Sequence, residues 1–456
     1  MKTASCFVGL LAAPLLVALP AFTEPPRPNI LLIVSDDQGY ADTGFQGSKD
    51  IPTPHLDQLA ASGIRFTNGY VTHAYCSPSR AGLLAGRYQQ RFGHERNPYY
   101  DRSDHHEGLP LTETLLPARL RSAGYVTGWI GKWHLGVAPE YAPERRGFSE
   151  TVGFLAGAHH YQKWQPNYKS GVAAPIERNG DPVELTEHLT TAFGHEATDF
   201  IRRHDGKPWF LYLAFNAPHT PMEPTAERLA RFASIPDPLR RKYAAQVSLM
   251  DDAIGEVLAA LRTSGQADRT LVFFFSDNGG KPKVNGSDNT PLRGEKGTPY
   301  EGGIRVPFLM AWPGRLASGV TEDRPVSSVD VFATALALAG APMPTDLVYD
   351  SVNLMPFLTG EKTGAPHERL YWRNGNQFAL REGNWKLVRE GGRPAELYNL
   401  ERDLGETTDL AKAQPAVLTR LMAELSAWDQ ELIDPVFPGD TGHQANAKKN
   451  SIQAKP

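Results

Sequence analysis

Four apolar runs along the chain end abruptly in polar, chemically capable residues. Residues 30–35, ILLIVS, run into Asp36 and Asp37, and residues 125–130, YVTGWI, run into Gly131-Lys132-Trp133-His134. Residues 209–215, WFLYLAF, lead through Asn216 and Pro218 to His219, and residues 271–276, LVFFFS, stop at Asp277 and Asn278. Short continuous runs rich in branched and aromatic residues predict strands buried on both faces, as in a large, mostly parallel sheet sandwiched by helices. Helix-like segments lie between them at 54–62 (PHLDQLAAS), 111–123 (LTETLLPARLRSA) and 240–262 (RRKYAAQVSLMDDAIGEVLAALR). Strand alternating with helix predicts an α/β fold, in which ligands bind beyond the carboxyl ends of the strands. One run ending in Asp or Asn is an ordinary turn. Four such ends predict an active site.

Beyond about residue 360 the pattern changes. ERLYWR, QFALRE, NWKLVRE and AELYNL read as short alternating strands, with turns at Gly375, Gly383 and Gly391-Gly392. A helix from about Pro415 to Leu432 follows. These features predict a catalytic α/β domain over 24–360 and a C-terminal subdomain over 361–437, an antiparallel sheet with a packed helix. Residues 438–456 are polar and are expected to form a flexible tail. At the other end, Lys2, the apolar stretch Phe7 to Leu19 and the small residues after it predict a signal peptide over 1–23. The chain is therefore expected to be exported, periplasmic or secreted. No later run reaches membrane-spanning length. A net charge of −4 gives no global attraction to nucleic acid or an anionic membrane.

Export changes the meaning of the cysteines. The chain has two, Cys6 and Cys76, and removal of the signal leaves Cys76 alone. A leftover thiol in an exported protein indicates intermolecular pairing or reactive chemistry, with a buried apolar cysteine as the plain alternative. Pro78 suits a first helical turn and AGLLAGR continues it, so Cys76 sits at or just before a helix N-terminus, which favours an anion. Arg80 adds a permanent charge one turn on. Asp36, Asp37, Asp277 and Asn278 offer only oxygen, which suits calcium or magnesium rather than zinc, although turn formation explains either pair alone. Calcium is the better match, because it tolerates irregular carboxylate-rich shells.

The segment Cys76-Ser77-Pro78-Ser79-Arg80, followed by Ala81 to Arg87, resembles the sulfatase signature. Gly131 to Gly136 (GKWHLG) resembles the second motif of that family. Asn29 to Gly39, Ala217-Pro218-His219, Ser276 to Gly279 and Gly294 to Pro307 (GEKGTPYEGGIRVP, which places Lys296) are similar to further motifs, in the expected order. The resemblance implies an alkaline-phosphatase-like fold and hydrolysis of sulfuric esters. It also implies that a maturation enzyme converts Cys76 to formylglycine, whose hydrate is the nucleophile. One Ca²⁺ would be held by Asp36, Asp37, Asp277, Asn278 and residue 76. Asp277 would be the base, Lys132 and Lys296 would clamp sulfate oxygens, and Arg80 would orient residue 76. His219 would protonate the leaving alcohol and His134 would take the second proton. Arg87 and Arg305 lie in the motifs too, but packing or a structural ion pair explains them equally well.

The expected substrate is a sulfated carbohydrate, with small aryl sulfates as surrogates. Residues 91–108 and 157–168 are rich in His, Arg, Tyr and Trp and are expected to line the outer wall, with His105, His159 or His160 reading a sugar hydroxyl. Phosphonate monoester hydrolases and phosphodiesterases of the same superfamily are the alternative; the full GKWHLG and GEKGTPYEGG motifs favour sulfate. A silent glycan-binding module would have lost a ligand or a lysine, and none is missing. The sequence leaves the oligomeric state open.

Overall fold

A computed structural model describes residues 4–5, 27–162 and 174–439. The predicted signal peptide, apart from residues 4 and 5, lies outside the described residues, as do residues 163–168 of the predicted wall and 440–456 of the predicted tail. The strands in chain order are β1 (Asn29–Ser35), β2 (Ile64–Phe66), β3 (Gly69–Tyr70), β4 (Val126–Lys132), β5 (Glu150–Phe154), β6 (Ile176–Arg178), β7 (Asp181–Val183) and β8 (Trp209–Ala214). They continue with β9 (Thr270–Ser276), β10 (Phe308–Ala311), β11 (Val320–Glu322), β12 (Val326–Ser327), β13 (Arg369–Asn374), β14 (Gln377–Glu382), β15 (Trp385–Glu390) and β16 (Glu396–Asn399). Ten of them form one sheet in the order β11-β2-β10-β9-β1-β8-β4-β5-β6-β7. Its centre, β9-β1-β8-β4-β5, is parallel throughout, whereas β10 and β6 join antiparallel, so the sheet is mixed.

The unbroken apolar runs have a simple cause. Along β1, Ile30, Leu32 and Val34 enter one core while Leu31 and Ile33 enter the other, and both sets are fully buried. Side chains alternate between faces, so a strand covered on both sides must be apolar at every position. One face is covered by the helices Leu189–Arg203 and Pro238–Thr263, the other by Cys76–Ala85, Leu116–Ser122 and Asp330–Leu338. The helix expected over 111–123 forms only from Leu116. Pro117 occupies its first turn. Upstream, the Glu113 N–H closes a turn on Pro110 O, and the Arg146 guanidinium holds Glu113 O at 3.0 Å.

Parallel strands put their carboxyl ends on one side, and the register aligns them. Ser35 lies opposite Ser276, so Asp36 and Asp277 leave the sheet side by side. Gly131 lies opposite Ala214, where β4 and β8 approach so closely that a Cβ on Gly131 would sit 1.9 Å from Ala214 O. That glycine, at φ +116°, lets the chain turn Lys132 into the site.

The C-terminal strands β13–β16 form a four-stranded antiparallel sheet, with the helix Pro415–Asp429 packed on it. This sheet meets the large domain through a buried polar joint. Glu301 accepts from Lys386 Nζ and from the Tyr70 hydroxyl, each at 2.6 Å, and its own N–H donates to Glu406. All three charged groups are fully buried. Removing one partner from such a pair strands the other charge. Glu301→Ala should therefore lower stability by about 3–5 kcal/mol in denaturant titration; a loss below about 1 kcal/mol would show the joint to be incidental.

Candidate active site

Cys76 is the first residue of the helix Cys76–Ala85 and is 1 % exposed. Its Sγ lies 3.4 Å from Asp36 Oδ1, 3.8 Å from Asp37 Oδ1 and 3.1 Å from Lys296 Nζ. The end of β1 and the loop that carries Lys296 therefore converge on this thiol. Burial pushes it well above its ordinary pKa, and Lys132 and Lys296 offset this only in part. As a thiol it is a poor nucleophile, because the thiolate is the reactive form.

Buried opposed charges pack around it. Lys132 Nζ donates to Asp36 Oδ2 at 2.6 Å, and both side chains are fully buried. Arg80, also fully buried, donates through Nε and Nη2 to Asp277 Oδ2 at 2.9 and 2.7 Å, and through Nη1 to the Tyr212 hydroxyl at 3.2 Å. Lys296 Nζ reaches Asp37 Oδ1 at 2.7 Å and Oδ2 at 2.9 Å. Burial alone would raise the Asp37 carboxyl, but Lys296, then His219 and Lys132, hold it well below the usual carboxylate range. Asp277 is pushed up by burial and by Asp36, with Arg80 opposing. Asp37 pushes the Lys296 ammonium well above its ordinary value against the pull of burial.

The oxygen donors have the character of a hard-cation site. One ligand atom each from Asp36, Asp37, Cys76 and His219 lie within 4.8 Å of one another. Asn278 donates its Nδ2 to Asp37 Oδ1 at 2.7 Å, while its Oδ1 is buried without a hydrogen-bond partner. An unpaired buried carbonyl oxygen beside carboxylates is costly unless something positive meets it. Asp277 Oδ1 accepts the Asp37 N–H at 3.2 Å, which ties the two carboxylate-bearing turns together. The residues fit a calcium ion by donor type and by charge.

Two histidines flank the cluster. His219 Nδ1 donates to Thr220 O at 2.5 Å, which leaves Nε2 facing Lys296 Nζ at 3.4 Å and Asp37 Oδ2 at 3.5 Å. Burial, with Lys296 and Lys132, holds it down at about 3 despite Asp37. His134 is pushed well below its ordinary value by burial and then by the cations Lys132, Arg80 and Lys296, so it stands neutral with a buried, unpartnered Nδ1. Asp37 and His134 both have φ near +60°, in the left-handed region. Backbone strain of this kind persists where the surroundings over-determine a functional position. Here Asn285 Nδ2 donates to Asp37 O, and the His134 N–H donates to Leu155 O.

The structure brings together all the residues expected at the sulfate and metal centre, Asp36, Asp37, Cys76, Arg80, Lys132, His134, His219, Lys296, Asp277 and Asn278. The three outer histidines separate. His159 is 2 % exposed, with both ring nitrogens facing backbone carbonyls, His160 O at 2.5 Å and Ala174 O at 2.7 Å, and its ring against Phe154. It is an internal strut, which corrects the expectation that it reads a sugar. His105 is largely exposed and pairs with Glu140 at 2.6 Å. His160 is half-buried and pairs with Glu223 at 2.8 Å, in the segment that follows His219. Arg305 bonds Glu301 and Thr67 O, and Arg87 faces Glu113 at 3.8 Å, both structural pairings. Tyr212, Tyr161 and Glu223 are contributors the sequence did not single out. Their polar partners lie far along the chain, so no local motif marks them.

Comparison with known proteins agrees with this geometry. The sulfatase family model matches residues 28–341, and that for the C-terminal part of N-sulphoglucosamine sulphohydrolase matches residues 295–431. The chain is 36 % identical over 404 residues to N-acetylgalactosamine-6-sulfatase of Rattus norvegicus, covering 83 % of this chain and 73 % of the relative. It is 35 % identical over 467 residues to arylsulfatase A of Homo sapiens, with 89 % of each covered. The crystal structure of Ps i-CgsB in complex with k-i-k-neocarrahexaose superposes with a TM-score of 0.87 at 37 % identity, covering 94 % of this chain and 98 % of the other. A buried thiol ringed by carboxylates and lysines, on this fold and with these relatives, leads to one conclusion: the chain belongs to the sulfatase family and is a sulfatase.

Proposed function

We propose that this sulfatase releases inorganic sulfate from a sulfated carbohydrate, with Cys76 matured to formylglycine and one Ca²⁺ at the strand ends. The observation that carries the proposal is the placement of Cys76, a buried thiol in contact with Asp36, Asp37 and Lys296. The carbohydrate is supported by two relatives, one named for N-acetylgalactosamine-6-sulfate chemistry and one crystallised with a neocarrahexaose. The signal-like first residues support export to the periplasm or beyond.

Asp36, Asp37, Asp277 and Asn278, with residue 76, would hold the cation. When present, the hydrated aldehyde supplies paired hydroxyls and the calcium ion draws charge from the sulfate oxygens. The remaining chemistry belongs to side chains of the chain. Lys132 and Lys296 offer ammonium groups from two sides of residue 76 and clamp the sulfate oxygens, in a dry site where such contacts are strong. Arg80 holds Asp277 by two donors, so this carboxylate stays aimed as a base beside residue 76. His219 presents Nε2 to the pocket and donates a proton to the departing alcohol oxygen; the negative charge of the substrate favours its protonated form. His134, neutral and with a free ring nitrogen, accepts a proton as sulfate leaves. His160, partly exposed and paired with Glu223 four residues beyond His219, is the proposed contact to a sugar hydroxyl.

Ion chromatography of free sulfate, released from a panel of defined sulfated mono- and oligosaccharides, tests the substrate class. Release from at least one linkage is expected, and the Cys76→Ala protein should lose more than about 10³-fold of it, as for removal of a nucleophile. Turnover of phosphonate or phosphodiester probes, with no sulfate from any sugar, would overturn the proposal. For the metal, the mature protein should carry one calcium per chain by elemental analysis, and Asp37→Asn should reduce that content at least about tenfold. Full activity in a preparation free of divalent cations would remove calcium from the account.

A further inference from the structure

A buried hydroxyl from another part of the chain grips the segment that carries His219. Tyr161 lies in the loop after β5 and is 2 % exposed. Its hydroxyl is 2.7 Å from Asn216 O and 2.9 Å from His219 O. Those two carbonyls bracket one turn, because the His219 N–H itself donates to Asn216 O at 2.8 Å. The phenol has one proton, so it donates a single hydrogen bond shared between the two carbonyls that bracket the turn from which the histidine projects.

Tyr161 is itself fixed from several directions. Its N–H donates to Glu223 Oε2 at 2.9 Å, its carbonyl accepts the Leu189 N–H at 2.8 Å, and its ring stacks on His188 at 5.2 Å. Glu223 follows His219 by four residues and also meets His160 at 2.8 Å. Tyr161, Glu223 and the His219 segment form a closed circuit of hydrogen bonds that ends on the histidine. The imidazole's own two torsions are restrained by the bond from Nδ1 to Thr220 O.

We infer that Tyr161 is a positioning residue for proton donation by His219, holding its Nε2 at the leaving oxygen through the Asn216 and His219 carbonyls. The inference rests on His219 being the proton donor. Its energetic content is directional: a proton helps a leaving group in proportion to how poor that leaving group is. A strut that merely stabilises the fold has no such selectivity.

The test is a series of substituted phenyl sulfates, from 4-nitrophenyl through phenyl to 4-methoxyphenyl, assayed with mature wild type, His219→Ala, Tyr161→Phe and the double variant. His219→Ala should lose about 10²-fold or more in kcat/KM on phenyl sulfate and far less on 4-nitrophenyl sulfate, so its dependence on leaving-group acidity steepens. Tyr161→Phe should steepen in the same sense, losing about tenfold on phenyl sulfate and less than about twofold on 4-nitrophenyl sulfate. The double variant should be no worse than His219→Ala alone. Equal losses across the series for Tyr161→Phe, or losses that add to those of His219→Ala, would overturn the inference while leaving His219 as donor. An unchanged slope for His219→Ala would remove the donor assignment and the inference with it. If Tyr161→Phe does not fold, Glu223→Gln loosens the same circuit at the Tyr161 N–H and must steepen the slope likewise.

Discussion

Everything at this site depends on keeping six charges of alternating sign dry and mutually satisfied. Asp36, Asp37 and Asp277 face Lys132, Lys296 and Arg80, and of these only Lys296 is more than marginally accessible. A single buried ion without a partner costs several kcal/mol, on the order of a large share of a domain's whole stability. The arrangement therefore survives only because each carboxylate has its own cation within hydrogen-bond range. It also explains why the cluster can take part in chemistry. Negative charge entering on a sulfate ester finds preformed cations, and the carboxylates have the donor type of a hard-cation site.

The sheet is what brings these charges together. Parallel strands of matched register deliver Asp36, Asp277, Lys132 and the His219 segment to one edge. The cysteine arrives differently, on a helix whose entire length is buried between the sheet and the helix Asp330–Leu338. The second sheet contributes no residue to the cluster, yet it anchors the loop that does. Tyr300 bonds Glu396, Asn374 donates to Gly297 O, and Lys386 meets Glu301, all around the segment that carries Lys296. The small subdomain thus shapes the catalytic edge from behind.

The central strands were legible because burial on both faces leaves an unbroken apolar signature, and their boundaries came within two residues of the runs in the sequence. The residues of the site were legible for a related reason. Each stands directly after such a run or inside a dense short motif, so local sequence carries the signal. Short strands such as β2, β3 and β12 carry none, since two or three residues give no period. Glu223, Tyr161 and Tyr212 act through partners tens of residues away or through backbone carbonyls, which any residue possesses. His159 misled for the opposite reason. A histidine in a polar, aromatic loop has the composition of a ligand contact, and only its burial between Phe154 and two carbonyls reveals a strut.

The central claim is that Cys76 is kept unpaired and buried in order to become something else. Peptide mass spectrometry tests it most directly. The tryptic peptide Phe66 to Arg80, from protein exported by a host with a maturation system, should carry an aldehyde in place of the thiol. It should also react with a hydrazide probe, and the aldehyde fraction should rise in proportion to specific sulfatase activity across preparations. A fully active preparation in which that peptide contains only thiol would contradict the account.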